Sequence, residues 1–422
     1  MEVGSARIDI TPRLGMPMGG YWGRSGCATE IGDSLYARAI VFQADARRCA
    51  LVNLDLIAVS AETVAQIRAQ IAARVNISPD AVMICASHTH SGPLTLAYRG
   101  MGVVDEDYLA DVISAAAESV ENAFAMRKEA RLYYARPRVE IGQNRRSSRG
   151  SVIRHAHVLW CEGEDGCVAS LFQYACHPVV LGAESLKISG DFAGEAARLI
   201  ERDAGGTAHF LNGACGDINP FQTNADESAV RTVGGELASA VLAARLGAQE
   251  LSNEQINWHL RTVKLPLRPL KSLRKQSLVL ALKLLGRAML KRRDRGALNA
   301  ARARLDWALD ARSAQANDSQ AFSIQGIAIG PLVFMGFEGE LFARYQRDME
   351  AVDPKVIVCG FANGCIGYVP TADEYERGGY EIDEAYQVYP GTRGIGPESE
   401  DIIRAAAEDI LSYLRDKPAN WP

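Results

Sequence analysis

Long apolar runs are missing from this sequence. No segment stays apolar for about 18 residues without a charge, so no membrane-spanning helix is expected. An excess of positive charge is missing too. With 46 Lys and Arg against 51 Asp and Glu, the net charge is −5, which argues against nucleic acid as the main partner. Paired cysteines are missing: nine lie scattered with no CxxC, which argues against a disulfide framework and fits a reducing compartment. A basic start followed by an apolar run is missing from "MEVGSARIDITPRLG". No signal peptide is therefore expected, and the expected location is cytoplasmic. Histidine is scarce, at seven in 422 residues. That scarcity makes the pair in "ICASHTHSGP" (Ile84 to Pro93) worth explaining.

What is present reads as a globular protein, 48% hydrophobic and 23% charged. Strand-like and helix-like segments alternate. "YARAIVFQAD", "RCALVNLDLIAV", "AVMICAS", "VASLFQYAC", "AHFLNG", "IAIGPLVFMGF" and "KVIVCGF" read as strands. "SAETVAQIRAQIAARV", "DEDYLADVISAAAESVENAFAM", "DFAGEAARLIERD", "AVRTVGGELASAVLAAR" and "ESEDIIRAAAEDILSYLRD" read as helices, Ser60 capping the first. The alternation predicts a layered α/β fold with sheets covered by helices. One stretch differs. From Lys271 to about Arg312 the chain turns basic and helical, after Pro266 and Pro269 and before the polar "SAQANDSQ". It reads as a helical hairpin inserted at about 266–318. Two readings stand for it: a basic amphipathic arm on a membrane surface or partner, or an arm whose apolar stripe packs on its own domain.

Residues two apart on a strand share a side, so His88 and His90 can face one pocket. The same construction recurs. "LFQYACHPVV" is a strand ending in His177, which Pro178 keeps extended. "GPLVFMGFEGELF" ends in Glu338 and Glu340, and a loop after "KVIVCGF" carries Tyr368 and Tyr380. Ligands of α/β proteins bind beyond the carboxyl ends of strands. Two histidines, a carboxylate and a fourth oxygen make a zinc set; scattered polar loop residues are the plainer reading.

"GYWGR", "SHTHSGP", "CHP" followed by "SGDFAG", "GACGDINP", "EGELF" and "YVPTADEYERGGYE" occur in this order. Together they resemble the neutral (non-lysosomal) ceramidase family and its shorter bacterial relatives. The resemblance covers nearly the whole chain as that family's catalytic domain, with no counterpart of its C-terminal immunoglobulin-like domain. It implies one domain over residues 1–422, built of mixed β-sheets flanked by helices. It implies a zinc ion held by His88, His177, Glu340 and Tyr368, with His90 acting on the substrate beside it. Arg145 and Tyr380 match residues that face the substrate. The implied activity is zinc-dependent hydrolysis of a C–N amide bond in a small-molecule or lipid-like substrate. Membrane contact, if any, would be peripheral, through the basic arm.

One position departs. Where the family commonly has a functional serine, this chain has Asn219 in "GDINP". Asparagine cannot form an alkoxide, though it can hydrogen-bond a carbonyl oxygen. Zinc hydrolysis needs no serine, because zinc lowers the pKa of bound water to about 7. Ester or lactone hydrolysis, or a zinc-containing protein that binds without catalysing, are the alternatives. A two-metal phosphoesterase would need more carboxylates. A second pair, His155 and His157 in "RHAHVLW", reads as ordinary strand histidines or a second metal site. Cys85, Cys176, Cys215 and Cys365 read as buried space-fillers, Cys215 lying nearest the missing serine. Asp191 reads as a helix N-cap, Asp217 as an orienting or turn-stabilising acid. Glu338 reads as a pocket carboxylate or a loop acid.

Overall fold

The computed structural model describes residues 1–251, 255–269, 274–290, 295–313, 318–391 and 393–416. Three sheets are each built around one theme: an antiparallel hairpin, a crossover helix, and a parallel strand added beside the hairpin. In the first sheet, Tyr36–Ala44 and Arg47–Leu54 form the hairpin, and Val82–Ala86 is parallel to the latter. The helix Ala61–Arg74 joins them, its N-terminus capped by Ser60, which accepts from Thr63 N. In the second, His157–Gly163 and Gly166–Tyr174 are followed by the helix Asp191–Ala204 and the parallel strand Thr207–Asn212. In the third, Ser319–Ile329 and Leu332–Phe337 are followed by the helix Ala343–Val352 and the parallel strand Val356–Cys359.

The mixed α/β architecture is as expected. Outer strands extend each sheet: Glu2–Asp9 and Lys128–Glu129 the first, Arg131–Ala135 and Gln249–Glu250 the second, Ile256–Pro266 the third. The strand Glu2–Asp9, which sequence reading missed, pairs along its whole length with Tyr36–Ala44. The segment "IAIGPLVFMGF" is two strands, not one. Gly330 turns with φ +55°, so Ile329 pairs back onto Leu332. Glycine tolerates that backbone, and an apolar run conceals a tight turn.

Central strands are apolar on both faces because both are covered. Ala39, Ile40, Val41 and Phe42 have no exposed surface, and the helix Glu106–Ala125 packs on their strand. One core cluster draws on all three sheets, including Leu51, Leu171 and Phe334. Each such side chain contributes roughly 1.5–3 kcal/mol by leaving water.

The basic stretch forms two helices, Arg274–Leu290 and Arg295–Ser313, between the paired strands Ile256–Pro266 and Ser319–Ile329. The second helix packs on its own chain, burying Ala303, Trp307, Ala308 and Ala311. Among the described residues no helix is long and apolar enough to cross a membrane.

Candidate metal centre

The threefold theme explains where the side chains converge. Beyond Val82–Ala86 comes His88, beyond Gly166–Tyr174 comes His177, and beyond Leu332–Phe337 comes Glu340. His88 adopts φ +68°, a left-handed backbone that a non-glycine residue rarely takes. Its N–H is held by Leu56 O at 2.9 Å, and its ring stacks on Phe361 with centroids 3.8 Å apart. His88 Nδ1 lies 2.7 Å from Ile57 O, and His177 Nδ1 lies 2.7 Å from Cys215 O. A carbonyl only accepts, so each Nδ1 carries the hydrogen and each Nε2 is left with a lone pair.

Both lone pairs point at Glu340. Its Oε2 is 3.1 Å from His177 Nε2 and 3.5 Å from His88 Nε2. Three acceptors thus face one another with no hydrogen between them. That mutual repulsion is relieved by a cation, so these residues fit a metal ion. All three side chains are buried. Burial, with Arg145 nearby, lowers the His177 pKa to about 4, which keeps the ring neutral. Burial alone would raise the Glu340 carboxyl. Proton-bearing histidines beside it would outweigh burial and hold that carboxyl below the usual range, so the cluster favours a positive charge at its centre, whether proton or cation. Its Oε1 accepts a hydrogen bond from Tyr389 OH.

His90 joins this cluster. Its Nε2 is 3.1 Å from His88 Nε2, and its ring meets Tyr21 edge-on at 5.0 Å. Its buried Nδ1 has no hydrogen-bond partner among the described residues. His88, His90 and His177 form one compact group of possible metal-holding nitrogens. Tyr368 stands beside Glu340 in the short parallel pair of Glu340–Leu341 with Tyr368–Val369. Its OH accepts from Arg145 Nη2 at 2.9 Å.

Arg145 is almost fully engaged. Nε donates to Glu381 Oε1 at 2.9 Å, Nη1 to Asn219 Oδ1 at 3.2 Å, and Nη2 also to Gly216 O at 2.8 Å. Asn219 therefore sits beside the arginine with its amide NH2 directed elsewhere. Tyr380 is 40% exposed, its ring 6.1 Å from Tyr368 and 6.2 Å from Trp22, so it marks the mouth. His88, His90, Arg145, His177, Asn219, Glu340, Tyr368 and Tyr380 thus belong to one neighbourhood.

Sequence reasoning missed Tyr389, Glu381, Phe361 and Tyr21. Tyr389 lies 49 residues from its partner, in a segment with no periodic signal. Tyr21 was within reach, because it stands inside the quoted "GYWGR".

Asp217 is an orienting acid. Its Oδ1 accepts from Ala343 N at 2.7 Å, and its Oδ2 from Asn144 Nδ2 at 2.6 Å. Asp191 is not the N-cap, which is Gly190. At φ +55° its carboxylate instead accepts from Leu181 N and Phe192 N, bracing the chain after His177. Glu338 stands outside the histidine cluster but is a pocket carboxylate, not a solvated one: it is buried at the wall of a cavity that Tyr368 and Tyr389 also line, and it accepts from Ser323 N at 2.8 Å. Burial raises the Cys176, Cys215 and Cys365 thiols, which makes them poor nucleophiles.

Residues 1–157 match the sequence family described as neutral/alkaline non-lysosomal ceramidase, N-terminal. The fold matches the neutral ceramidase from Pseudomonas aeruginosa with a TM-score of 0.78 at 20% identity, covering 100% of this chain and 75% of that one. It also matches a ceramidase complexed with C2, with a TM-score of 0.75 at 19% identity, covering 100% and 76%. No curated protein matches the sequence. The first 157 residues thus carry the neutral/alkaline ceramidase family's sequence pattern, and the whole chain carries the neutral ceramidase fold.

Proposed function

We propose that this protein is a zinc-dependent hydrolase of an amide bond, acting on an N-acyl amide related to ceramide. The observation that carries this reading is the convergence of two hydrogen-free imidazole nitrogens and one carboxylate oxygen at 3.1 and 3.5 Å. The family match over residues 1–157 and the fold support a hydrolase acting on ceramide-like amides.

His88, His177 and Glu340 would hold the ion, with Tyr368 as the fourth oxygen. Zinc bound there would polarise a carbonyl and make water acidic enough to react near neutral pH. The chain's own groups do the rest. Arg145 fixes Tyr368 and Asn219 and brings a positive charge beside the reacting carbonyl. The Asn219 amide NH2 donates to the carbonyl oxygen, a role that an alkoxide nucleophile does not share. His90 carries a proton between the attacked carbon's new oxygen and the leaving nitrogen. Burial and the neighbouring His88 and His177 keep its ring neutral at rest, ready to accept. Trp22 and Tyr380 flank the substrate at the mouth. The same groups would serve a smaller N-acyl amide or an ester by the same chemistry.

The test is metal content and turnover together. Wild type should carry zinc at this centre, lost in His88→Ala and Glu340→Ala. It should cleave at least one member of a panel of short N-acyl amides, esters and vesicle-borne ceramide. Chelation should stop that cleavage and zinc restore it, and His90→Ala should lower turnover about 100-fold or more. Zinc without cleavage of any member would favour the non-catalytic binding reading. No zinc uptake by folded protein would overturn both.

A further inference from the structure

The second His-x-His pair lies outside the centre described above. His157 opens the strand His157–Gly163, and His155 precedes it by two, so both rings reach one side. There they meet Glu350, in the last turn of the helix Ala343–Val352. His157 Nε2 is 2.9 Å from Glu350 Oε1, and His155 Nε2 is 2.7 Å from Glu350 Oε2. The surroundings orient them. Tyr134 OH lies 2.7 Å from His157 Nδ1 and 3.4 Å from Pro354 O. When that hydroxyl donates to the carbonyl, it accepts Nδ1–H, and His157 Nε2 is left with its lone pair toward the carboxylate. Gln346 Nε2 donates to Glu350 Oε1 at 2.7 Å and holds it. Burial keeps His157 below its ordinary pKa, hence neutral.

A guanidinium stands in this cluster. Arg136 Nη2 pairs with Glu350 Oε2 and lies 2.6 Å from His155 Nε2. Arginine only donates, so His155 Nε2 accepts from it. Two ligand atoms of metal-binding type, His155 Nε2 and Glu350 Oε2, therefore converge on one positive charge, with His157 Nε2 against the other carboxylate oxygen. The His155 and Arg136 side chains are 22% and 31% exposed, so the cluster opens to water and Arg136 has solvent to move into.

We propose that His155, His157 and Glu350 form a second metal site, for zinc or a similar borderline divalent cation, with Arg136 holding the cation's place until metal arrives. Two imidazoles and a carboxylate suit such an ion, and water completes the set from the open side. The helix rises about 10 Å from Ala343, three residues after Glu340, to Glu350, which sets the two clusters apart. A two-metal catalytic clamp needs about 4 Å, so this ion takes no part in the reaction. It ties the strand His157–Gly163 to the helix Ala343–Val352.

The test uses metal-stripped His88→Ala protein, whose fold is checked by circular dichroism, titrated with Co2+. One cobalt per chain is expected, abolished by adding His155→Ala. Adding Arg136→Met instead should tighten binding on the order of tenfold, because the competing closed state is gone. Wild type titrated in parallel should take two cobalt ions, and His155→Ala one. If wild type takes one, lost with His155→Ala and unaffected by His88→Ala, this inference stands and the proposed catalytic centre falls. No cobalt bound by folded His88→Ala at millimolar metal would overturn the inference. So would binding that ignores His155→Ala, or that Arg136→Met leaves unchanged or weakens.

Discussion

Two His-x-His pairs each meet a glutamate in this molecule, through opposite electrostatic arrangements. At His88 and His90, the partner Glu340 has Tyr389 as its neutral donor, and no guanidinium lies within hydrogen-bond reach of its carboxylate among the described residues. The proposed cation would supply the charge that meets this carboxylate. At His155 and His157, Arg136 already supplies it to Glu350. The first pair sits where strand ends of three sheets converge, with His88 and His177 pinned by backbone carbonyls. The second sits at a half-open surface and is oriented by side chains, Tyr134 and Gln346. Backbone pinning fixes a tautomer before any ligand arrives, whereas side-chain pinning leaves the cluster free to take either a proton-bearing or a metal-bearing form. One short helix, Ala343–Val352, joins the two glutamates.

The sharpest way to break this comparison is to neutralise each glutamate in turn. Glu340→Gln should lower turnover about 1000-fold or more, since it removes a metal-holding charge and faces an amide toward two lone pairs. Glu350→Gln should instead act on stability. It leaves Arg136 without its counter-charge and should cost about 1–3 kcal/mol in urea unfolding. If both variants lost activity equally, the two clusters would be one functional unit and the distinction drawn between them would fail.

Apolar runs are read locally, and several ending in possible ligands made a shared pocket legible, but the choice of His88, His177, Glu340 and Tyr368 came from the family resemblance. His88, His177 and Glu340 each lie within three residues of the end of an apolar strand. The α/β class was legible in the same runs. What stayed hidden depends on contacts between distant segments. Tyr389 reaches Glu340 only because the loop after Val356–Cys359 folds back over the site. The Gly330 turn was masked by continuous hydrophobicity. Glu350 was not singled out, because nothing local tells that its helix lays it against His155 and His157. The basic stretch was divided between two readings, and the structure decides part of it. The helix Arg295–Ser313 packs on the rim of the mouth, where Arg304 pairs with Glu384 and lies 5.1 Å over the Trp22 ring. Trp307 meets Tyr386 at 5.5 Å.

That rim gives a second, smaller contrast. The first pair is reached past Trp22 and Tyr380, which the inserted helix braces; the second pair is reached from open solvent. Arg304→Ala should loosen the Trp22 ring and raise KM about tenfold, with kcat changed by less than about threefold. Cobalt binding at His155 and His157 should be untouched. A fall in kcat with KM unchanged would mean that the helix acts on the reacting groups and not on entry.

The smallest effect concerns the joint between the two regions. Asp217 holds the first residue of the helix Ala343–Val352 through Ala343 N, and holds Asn144, next to Arg145. Burial raises its carboxyl pKa to about 6, partly offset by these hydrogen bonds. The folded state therefore binds this proton more tightly than the unfolded chain does. The resulting stabilisation is fully present below about pH 4 and is lost as pH rises through about 6. The Asp217→Asn variant carries an amide there, which does not titrate. Wild type should therefore gain on Asp217→Asn by up to about 3 kcal/mol when urea unfolding is measured at pH 4 instead of pH 7.5. A difference that stays flat with pH would show that Asp217 is ionised throughout, held by its donors strongly enough to cancel burial. The helix would then be anchored at the catalytic end by a full charge, as it is at the other end by Glu350, and the electrostatic contrast between its two ends would narrow.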